Sequence, residues 1–388
     1  MAEKGAGKGL ATADRYYQDY GGRARELKKQ GQRIMGYLCA LAPVEIISAA
    51  GFVPFRIKGN VNEPITKADS EMETIVCPLV RSCFDMSLKG KYEFLDGIVI
   101  PHACDSITRS YSIISYSLGL PYSHFINIPH TTKDISKEFF KAELGTFKEG
   151  LARFAGKEIS DESLAQAIQL NNEVKAKVRE LYQFRKSDPP LISGTEVTKV
   201  VVAAMGIPAV EASQLLDDVI DEVKKRASPP VKKLPRIMVV GAEVDDIAFI
   251  KLIEDSGANV VVDSMCVGTR DYFFDVDTGQ DPLGSIADYY LRKLNCPRTY
   301  REWAGETYEE DLEARFGDIG SFAKNFKVDG VILYILKYCD PFGFEVPARM
   351  QYIQSLDTPV LYIEDEYSMS TIARLRTRVQ AFLEILAR

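Results

Sequence analysis

The stretches DGIVIPHACD (residues 96–105) and DGVILYILKYCD (residues 329–340) carry one pattern in two parts of the chain. Each has an Asp-Gly pair, then a run of β-branched and other apolar residues, and then a Cys-Asp pair. A short apolar run that begins at turn-forming residues predicts a buried strand. The repetition therefore predicts two related units, each of which places a cysteine just beyond the end of a strand.

The likeness between the two parts extends to both sides of these stretches. Arg-Ile-Met occurs at residues 33–35 and again at 236–238, and proline-led apolar runs begin at Pro121 and Pro359. Strand patterns alternate with helix patterns in both parts, which is typical of open parallel sheets. We therefore expect an α/β protein with two Rossmann-like parallel-sheet domains related by internal duplication. Ligands of such proteins bind at the carboxyl edges of the strands.

The region between the two parts predicts where the domains begin and end. From about residue 132 the apolar residues recur at helical spacing, and a proline-rich stretch, SPPVKKLP, follows as the clearest linker. We expect an N-terminal helix, a first α/β domain, a helical segment, a linker and a second α/β domain. In that order they cover residues 1–32, 33–131, 132–227, 228–235 and 236–388.

The composition argues against some classes of partner. The 388-residue chain has a net charge of −7, a pI near 5.3 and a mean hydropathy of −0.11. An acidic chain is a poor ligand for nucleic acid and for anionic membranes, so we expect neither as a partner. The start of the sequence lacks the apolar core of a signal peptide, and no apolar run is long enough to span a bilayer. We therefore expect a cytoplasmic protein.

The seven cysteines are expected to stay reduced in the cytoplasm, so disulfides are a poor explanation for them. Six lie at predicted element ends, whereas Cys83 lies within a predicted helix and is expected to serve packing. The chain has no CxxC motif and only three histidines, none with zinc-ligand spacing. Soft sulfur ligands without histidine favour an iron–sulfur cluster. The candidate ligands are Cys39, Cys77, Cys104, Cys266, Cys296 and Cys339.

Nucleotide-binding motifs are missing from the sequence. The stretch Gly-Ala-Glu at residues 241–243 follows a predicted strand but does not match GxGxxG, and no Walker A sequence occurs. We therefore expect neither a dinucleotide nor ATP to bind this chain.

Five stretches in order along nearly the whole chain carry a family resemblance. They are GYLCALAPVEIISAAG (36–51), CPLVRS (77–82), HACD (102–105), KYCDP (337–341) and RTRVQAFLE (376–384). Together they resemble the 2-hydroxyacyl-CoA dehydratase and ATP-dependent benzoyl-CoA reductase superfamily, and most closely its double-cubane cluster protein branch.

The resemblance implies two alternative ligand sets. Dehydratase subunits of this superfamily pair as heterodimers, and each holds a single [4Fe–4S] cubane through three cysteines, which here would be Cys77, Cys104 and Cys339. The double-cubane proteins are homodimers, and six cysteines hold two cubanes joined by a sulfide as [8Fe–9S]. Because the motif-like stretches SMCVGTR (264–270) and NCPR (295–298) and the first stretch add three cysteines, the count of six favours the double cubane.

The resemblance also implies a division of labour between two proteins. A separate ATP-hydrolysing iron–sulfur activase donates an electron of very low potential, and this chain, as an iron–sulfur oxidoreductase, reduces a small molecule. In the alternative interpretation the chain is a lyase subunit that removes hydroxide from a 2-hydroxyacyl-CoA through a ketyl radical. A third interpretation is a non-enzymatic electron carrier on the same fold.

Either reaction needs proton donors. Glu45 lies at a predicted helix start near Cys39, where it could instead be a first-turn acid that favours the helix dipole. His102 precedes Cys104 by two residues, and His130 follows a predicted strand, so both are candidate donors; the alternative for each is a hydrogen-bonded structural residue. His124, in mid-strand, is expected to be structural.

Charged residues next to the cysteine motifs have a less specific interpretation. The arginines Arg109, Arg270 and Arg298 could balance an anionic cluster or bind phosphate, but we expect each to make a surface ion pair. Asp105 and Asp340 follow their cysteines and are expected to cap the next helices.

Overall fold

The N-terminal region of the computed structural model is two helices, and the structure as a whole describes residues 8–227, 233–302 and 305–387. Helix α1 is Gly9–Gln18 and α2 is Gly22–Lys29, where a single helix was expected. The break has a local cause, because Gly21 adopts a φ of +93°, a left-handed conformation that cannot continue a helix.

The first sheet contains β1 (Arg33–Tyr37), β2 (Phe52–Arg56), β3 (Gly97–Pro101) and β4 (Tyr122–Ile126). All neighbouring strands are parallel, in the order β2-β1-β3-β4. The elements between these strands are α3 (Val44–Ala49), a 3₁₀ turn (Ala68–Ser70), α4 (Pro78–Leu88) and α5 (Asp105–Leu118).

The helical segment that follows consists of four helices. These are α6 (Asp134–Ala155), α7 (Asp161–Gln183), α8 (Gly194–Ala204) and α9 (Ala209–Lys224). Ser193 and Glu196 form a capping box that satisfies the first N–H groups of α8. The segment is therefore a set of regular helices, as the apolar spacing predicted.

The second sheet repeats the first. It contains β5 (Arg236–Gly241), β6 (Asn259–Ser264), β7 (Gly330–Leu336) and β8 (Val360–Asp365), all parallel, in the order β6-β5-β7-β8. The remaining elements are α10 (Ala248–Asp255), α11 (Thr269–Tyr272), α12 (Pro282–Asp288), a π-helical turn (Tyr289–Lys293), α13 (Tyr308–Asn325), α14 (Asp340–Ser355), a 3₁₀ turn (Met369–Thr371) and α15 (Ile372–Leu386). The predicted α/β architecture with two Rossmann-like units is confirmed. The five-segment division stays a prediction, and its residues 1–7, 228–232, 303–304 and 388 lie outside the described residues.

The repeated Asp-Gly pair has the same structural role in both units. The carboxylate of Asp96 accepts a hydrogen bond from the N–H of Ile34 (2.8 Å), and that of Asp329 accepts one from the N–H of Arg236 (2.8 Å). Each aspartate thus connects the start of the motif strand to the start of the unit's first strand. A Cβ on Gly97 would lie 2.7 Å from a carbonyl oxygen of β4, so this position requires glycine.

One core lies between the two sheets. Alternate side chains of both sheets, such as Ile34 and Ile98 in the first and Ile237 and Ile332 in the second, belong to one cluster of buried residues. Helices α2, α4, α10 and α15 also contribute to this cluster. Because side chains alternate across a strand, the other set packs in two further clusters, one for each sheet. The units therefore share one buried core. No described helix combines the length and apolar character needed to cross a bilayer.

Candidate active site

Four cysteines lie just beyond the carboxyl ends of strands, as predicted. Cys39 follows β1, Cys104 follows β3, Cys266 follows β6 and Cys339 follows β7. The other two lie in the segments inserted after β2 and β6, where Cys77 precedes α4 and Cys296 follows the π-helical turn. Parallel strands place their carboxyl ends at one edge of each sheet, so these cysteines face the crevice between the units.

Three of the six thiols lie close together beside buried arginines, and we call Cys39, Cys266 and Cys296 the arginine group. Burial raises the pKa of Cys39 well above its usual range, and the negative charges of Cys266 and Cys296 raise it further. Burial raises the pKa of Cys266 to about 11, against the opposing effect of Arg270. The group therefore combines half-buried cysteines with nearby positive charge.

The other three thiols begin helices, and we call Cys77, Cys104 and Cys339 the helix-cap group. They are the N-cap residues of α4, α5 and α14. Burial raises the pKa of Cys77 to about 11 and that of Cys104 to about 12. None of the three side chains makes a capping hydrogen bond. The N–H groups of the first helical turns nevertheless offset part of the rise in pKa that burial causes at all three thiols. Helix N-termini favour thiolates in this way.

The predicted capping by aspartates is wrong. Asp105 and Asp340 are the first helical residues, and the cysteines before them occupy the N-cap positions. Because a helical residue at that position cannot reach back to cap, these carboxylates contribute only their charge to the helix start.

The two groups adjoin one another. The charge of Cys296 contributes to the raised pKa of Cys104, and the charge of Cys266 contributes to that of Cys339. Each group also crosses between the units, because the arginine group takes Cys39 from the first and the helix-cap group takes Cys339 from the second. Six of the seven thiols thus converge on one place.

Arg270 does not make the expected surface ion pair. Its side chain is buried, and Nη1 donates to Cys266 Sγ at 3.2 Å. Its remaining N–H groups donate to carbonyl oxygens of Gly241, Ser264 and Asn295. This arginine is therefore fixed by main-chain acceptors and directed at a thiol.

Arg298 is also buried, and the expected surface pairing is wrong for it as well. It donates to the carbonyl oxygens of Ile128 and Pro129, both at 2.8 Å. Arg109 behaves as predicted, since it is exposed and pairs with Asp105 at 3.4 Å. The arginines near the cysteine motifs therefore have two different roles.

Glu243 is a site residue that the sequence pattern did not predict. It lies in the loop after β5 and accepts a hydrogen bond from the buried Arg56 at 2.6 Å. Its charge raises the pKa of both Cys77 and Cys266, one thiol from each group. The signal in the sequence is its position, because the loop after β5 corresponds to the Cys39 loop after β1.

His102 and His130 lie together at the edge of the site. Their rings meet edge to face, with centroids 4.8 Å apart. His102 Nδ1 lies 3.1 Å from Asn127 Oδ1. His130 Nδ1 lies 3.2 Å from the carbonyl oxygen of Arg298, which can only accept, so this nitrogen is the donor. Burial, followed by the charge of Arg298, lowers the pKa of His130.

Glu45 belongs to a different place, a fully buried polar cluster behind the Cys39 loop. Tyr290 donates to its Oε2 at 2.8 Å, and Lys175 Nζ lies 3.9 Å from its Oε1. Lys175 was not predicted; burial lowers its pKa, and its ammonium lies 3.7 Å from the centre of the Tyr289 ring. An adjoining cavity of about 70 Å³ is lined by Lys175 and Asp271 among others, so it has room for water between the charges.

The backbone beside two of the thiols is strained. Cys39 has a φ of +68°, and Tyr338, directly before Cys339, has a φ of +60°. Non-glycine residues are uncommon in this region, and such strain clusters at functional sites.

The seventh cysteine, Cys83, lies apart from the other six. It is buried inside α4, with its sulfur 3.8 Å from the Ile57 carbonyl oxygen.

The donor set fits an iron–sulfur cluster better than a single ion. Within residues 8–227, 233–302 and 305–387, no three His, Cys, Asp or Glu side chains are close enough to hold one metal ion. In a cubane each cysteine binds a different iron, so its ligands lie farther apart than those of one ion. Six converging thiols, with no histidine among them, are the ligands that such clusters use.

Comparison with known proteins agrees with the resemblance. The sequence profile described as 2-hydroxyglutaryl-CoA dehydratase, D-component, matches residues 39–386. The chain is 25% identical to the (R)-phenyllactyl-CoA dehydratase beta subunit of Clostridium sporogenes, over 97% of this chain and 100% of that protein. It is 24% identical to a benzoyl-CoA reductase subunit of Thauera aromatica, over 96% of each chain.

A third relative extends the same set. The chain is 23% identical to the beta subunit of (R)-2-hydroxyglutaryl-CoA dehydratase of Acidaminococcus fermentans, over 92% of this chain and 94% of that one. The predicted superfamily is confirmed, because the profile covers most of the chain and its relatives align from end to end. The chain belongs to the enzyme family described as 2-hydroxyglutaryl-CoA dehydratase, D-component.

Proposed function

We propose that this chain is the iron–sulfur reductase component of a two-protein system, in which six cysteines bind a double-cubane [8Fe–9S] cluster. The observation that carries the proposal is the convergence of six thiols as two adjoining groups of three. When bound, the cluster would hold electrons at low potential and deliver them to a small molecule.

The cysteines and their surroundings have separable tasks in this proposal. Cys77, Cys104 and Cys339 hold one half, assisted by the N–H groups of the helices that they begin. Cys39, Cys266 and Cys296 hold the other half, beside Arg270. Cys77 is buried and the other five cysteines are half-buried, which limits the access of water. Solvent exposure and hydrogen bonds to sulfur tune the reduction potential of such clusters.

Protons for the reduction would come from His102 and His130. Their rings are in contact, and His130 donates to the carbonyl oxygen of Arg298, beside Cys296. Glu45 would be an inner proton donor, 3.9 Å from Lys175, which lines the cavity behind the Cys39 loop. Such donors act when they are held within hydrogen-bond reach of the reacting group or of one water.

A small molecule could approach through a larger pocket beside the arginine group. This pocket has a volume of about 610 Å³, and its walls include Pro297, Arg298, Tyr300 and Arg315. Because Pro297 directly follows Cys296, the pocket lies next to the arginine group in the chain.

The electron donor in this proposal is a separate ATP-hydrolysing iron–sulfur activase, and the chain acts as a homodimer in the cytoplasm. The sequence has no nucleotide-binding loop of its own, which supports a division of labour. The names of the relatives, which describe subunits, support assembly with a further chain.

A second candidate function is a 2-hydroxyacyl-CoA dehydratase subunit, or a benzoyl-CoA reductase-like one, that binds a single [4Fe–4S] cubane through the helix-cap group. The relatives named as dehydratase and reductase subunits favour it. The arginine group would then carry no iron. An electron carrier on the same fold would bind a cluster but reduce no substrate.

Iron and acid-labile sulfide in anaerobically purified protein test the proposal. A double cubane requires about eight irons per chain and a single cubane about four. Eight irons with nine sulfides support the proposal, and four of each support the dehydratase alternative. Protein that contains neither element after anaerobic purification would contradict both. A requirement for a different partner chain would separately favour the dehydratase alternative.

A further inference from the structure

The two thiol groups lie in opposite electrostatic surroundings. In the arginine group, Arg270 Nη1 donates to Cys266 Sγ at 3.2 Å, and Arg298 follows Cys296 by two residues. In the helix-cap group, Cys104 and Cys339 are each followed directly by an aspartate, Asp105 and Asp340, at the start of a helix. Positive side chains are therefore concentrated on one side of the site.

Arg270 has the more direct geometry. Its Nη1 lies 3.2 Å from Cys266 Sγ, and neutral carbonyl oxygens hold the rest of its guanidinium. Within the described part of the chain, its polar partners are these carbonyl oxygens, the Ser264 hydroxyl and the Cys266 thiol, and it pairs with no carboxylate. Because burying an unpaired charge is costly, the positive charge requires a counter-charge, and the thiol side of the site is where it points.

Arg298 shows the same pattern. Only 7% of its surface is exposed, its Nη atoms donate to carbonyl oxygens, and its Nε has no partner. No carboxylate among the described residues pairs with it, and it follows Cys296 by two residues in the chain. Two buried arginines thus lie near cysteines of the arginine group without an acidic partner.

We infer that Arg270 and Arg298 are positioning residues that hold added negative charge on the side of the arginine group, so that this side is the more easily reduced half of the bound cluster. The inference rests on the proposed function. It assigns a direction to electron transfer, from the helix-cap group toward the arginine group and the 610 Å³ pocket beside it.

The test is a reductive titration of the anaerobic holoprotein with dithionite, followed by electron paramagnetic resonance. The variants are Arg270→Gln and Arg298→Met, and Arg109→Met is the matched control because that arginine is exposed and paired with Asp105. Each loss of a buried charge should lower the ratio of reduced to oxidised cluster about tenfold at a fixed potential. For a one-electron couple this corresponds to a midpoint about 59 mV more negative. Arg109→Met should leave the midpoint unchanged.

Glu243→Gln provides a test of opposite sign. It removes a negative charge and leaves Arg56 unpaired beside the arginine group, so it should shift the midpoint to a more positive potential. If Glu243, Arg270 and Arg298 had only structural roles, the midpoint would not shift in opposite directions in the acidic and the basic variants. If an arginine variant binds no iron, this variant still decides the question, because an unchanged or more negative midpoint overturns the inference.

The outcomes separate the inference from the proposed function. A double cubane requires about eight irons per chain, so a wild-type protein with about four irons or none contradicts the proposed function itself. A protein with about eight irons whose midpoint is the same in wild type, Arg270→Gln and Arg298→Met keeps the proposed function and overturns the inference. Arg298→Lys keeps the positive charge, so its midpoint potential should lie much closer to that of wild type than the midpoint of Arg298→Met does.

Discussion

The helix-cap group and the arginine group place three thiols each around one crevice, but they are built in different ways. The helix-cap group relies on the backbone, since each of its cysteines begins a helix of at least eleven residues. The arginine group relies on side chains, chiefly Arg270 on Cys266. A backbone dipole cannot be removed by substitution, whereas a guanidinium can, so the second group is the more adjustable of the two.

The surroundings behind the two groups also differ. Behind the helix-cap group lies Cys83, a buried residue of α4 in the apolar core between the sheets. Behind the Cys39 loop lie Glu45 and Lys175, buried and separated by 3.9 Å. One side of the site therefore rests on packing and the other on charge, and four experiments test this contrast.

The largest effect is expected from the thiols themselves. Cys339→Ser in the helix-cap group and Cys266→Ser in the arginine group should each lose half or more of the iron, because only three thiolates hold each half of the proposed cluster. Iron per chain in anaerobic protein measures the loss. Cys83→Ser, a buried cysteine inside α4, is the control and should keep its iron. Full iron in Cys266→Ser would contradict a six-cysteine site and favour a single cubane.

The next largest effect is expected behind the Cys39 loop. Lys175→Met leaves Glu45 buried without its cation, and breaking such a pair costs about 3–5 kcal/mol. Urea unfolding measures the free energy of unfolding, and the double variant Lys175→Met/Glu45→Gln should recover most of it. Lys251→Met breaks an exposed pair with Asp255 and should cost less than about 1 kcal/mol. Equal free energies of unfolding for Lys175→Met and wild type would show that the buried Glu45–Lys175 pair does not stabilise the arginine-group side of the site.

The histidine pair should affect turnover and leave the thiols intact. His102→Gln or His130→Gln should lower the rate with an activase, ATP and reductant about a hundredfold, the lower end of what a proton donor contributes. Iron content should stay unchanged. His124→Gln is the control, since His124 lies in β4 with its ring 4.9 Å from that of Phe147. A wild-type rate in both variants would remove the pair from the proposed mechanism.

The smallest effect concerns Asp245, in the loop where the second unit meets the first. Burial raises the pKa of Asp245 from 3.8 to about 6. A raised carboxyl pKa gives stability that is present below the unfolded value and is lost as the pH rises through 6. Asp245→Asn keeps the shape of the side chain without its charge. The melting temperature of the variant should therefore rise relative to that of wild type as the pH goes from 5 to 7.5. A constant difference across that range would contradict the shift.

Much of the fold could be predicted because its signals are local. The apolar runs after the Asp-Gly pairs became β3 and β7, and the matching positions of the other strands gave two sheets of one order. The role of the aspartates themselves was not predictable in this way. Asp96 bonds to Ile34 and Asp329 to Arg236, and those partners lie far away in the sequence.

The site was predictable only in part, for the same reason. Strand ends indicated where cysteines gather, but the division into two crossed groups depends on how the units dock. Lys175 sits in the middle of the long helix α7, where a lysine is ordinary and only its burial sets it apart. Arg270 and Arg298 were expected at the surface because arginine is rarely buried without an acid.

The crossed origin of the two groups has a consequence for how the molecule matures. Cys77 and Cys104 come from the first unit and need Cys339 from the second, while Cys266 and Cys296 need Cys39. A chain in which only one unit has folded offers at most two thiols of either group. A cofactor that binds all six recognises only the docked, native arrangement and stabilises it by mass action. Loading of the site would then act as a check on folding quality, because half-formed chains cannot retain it.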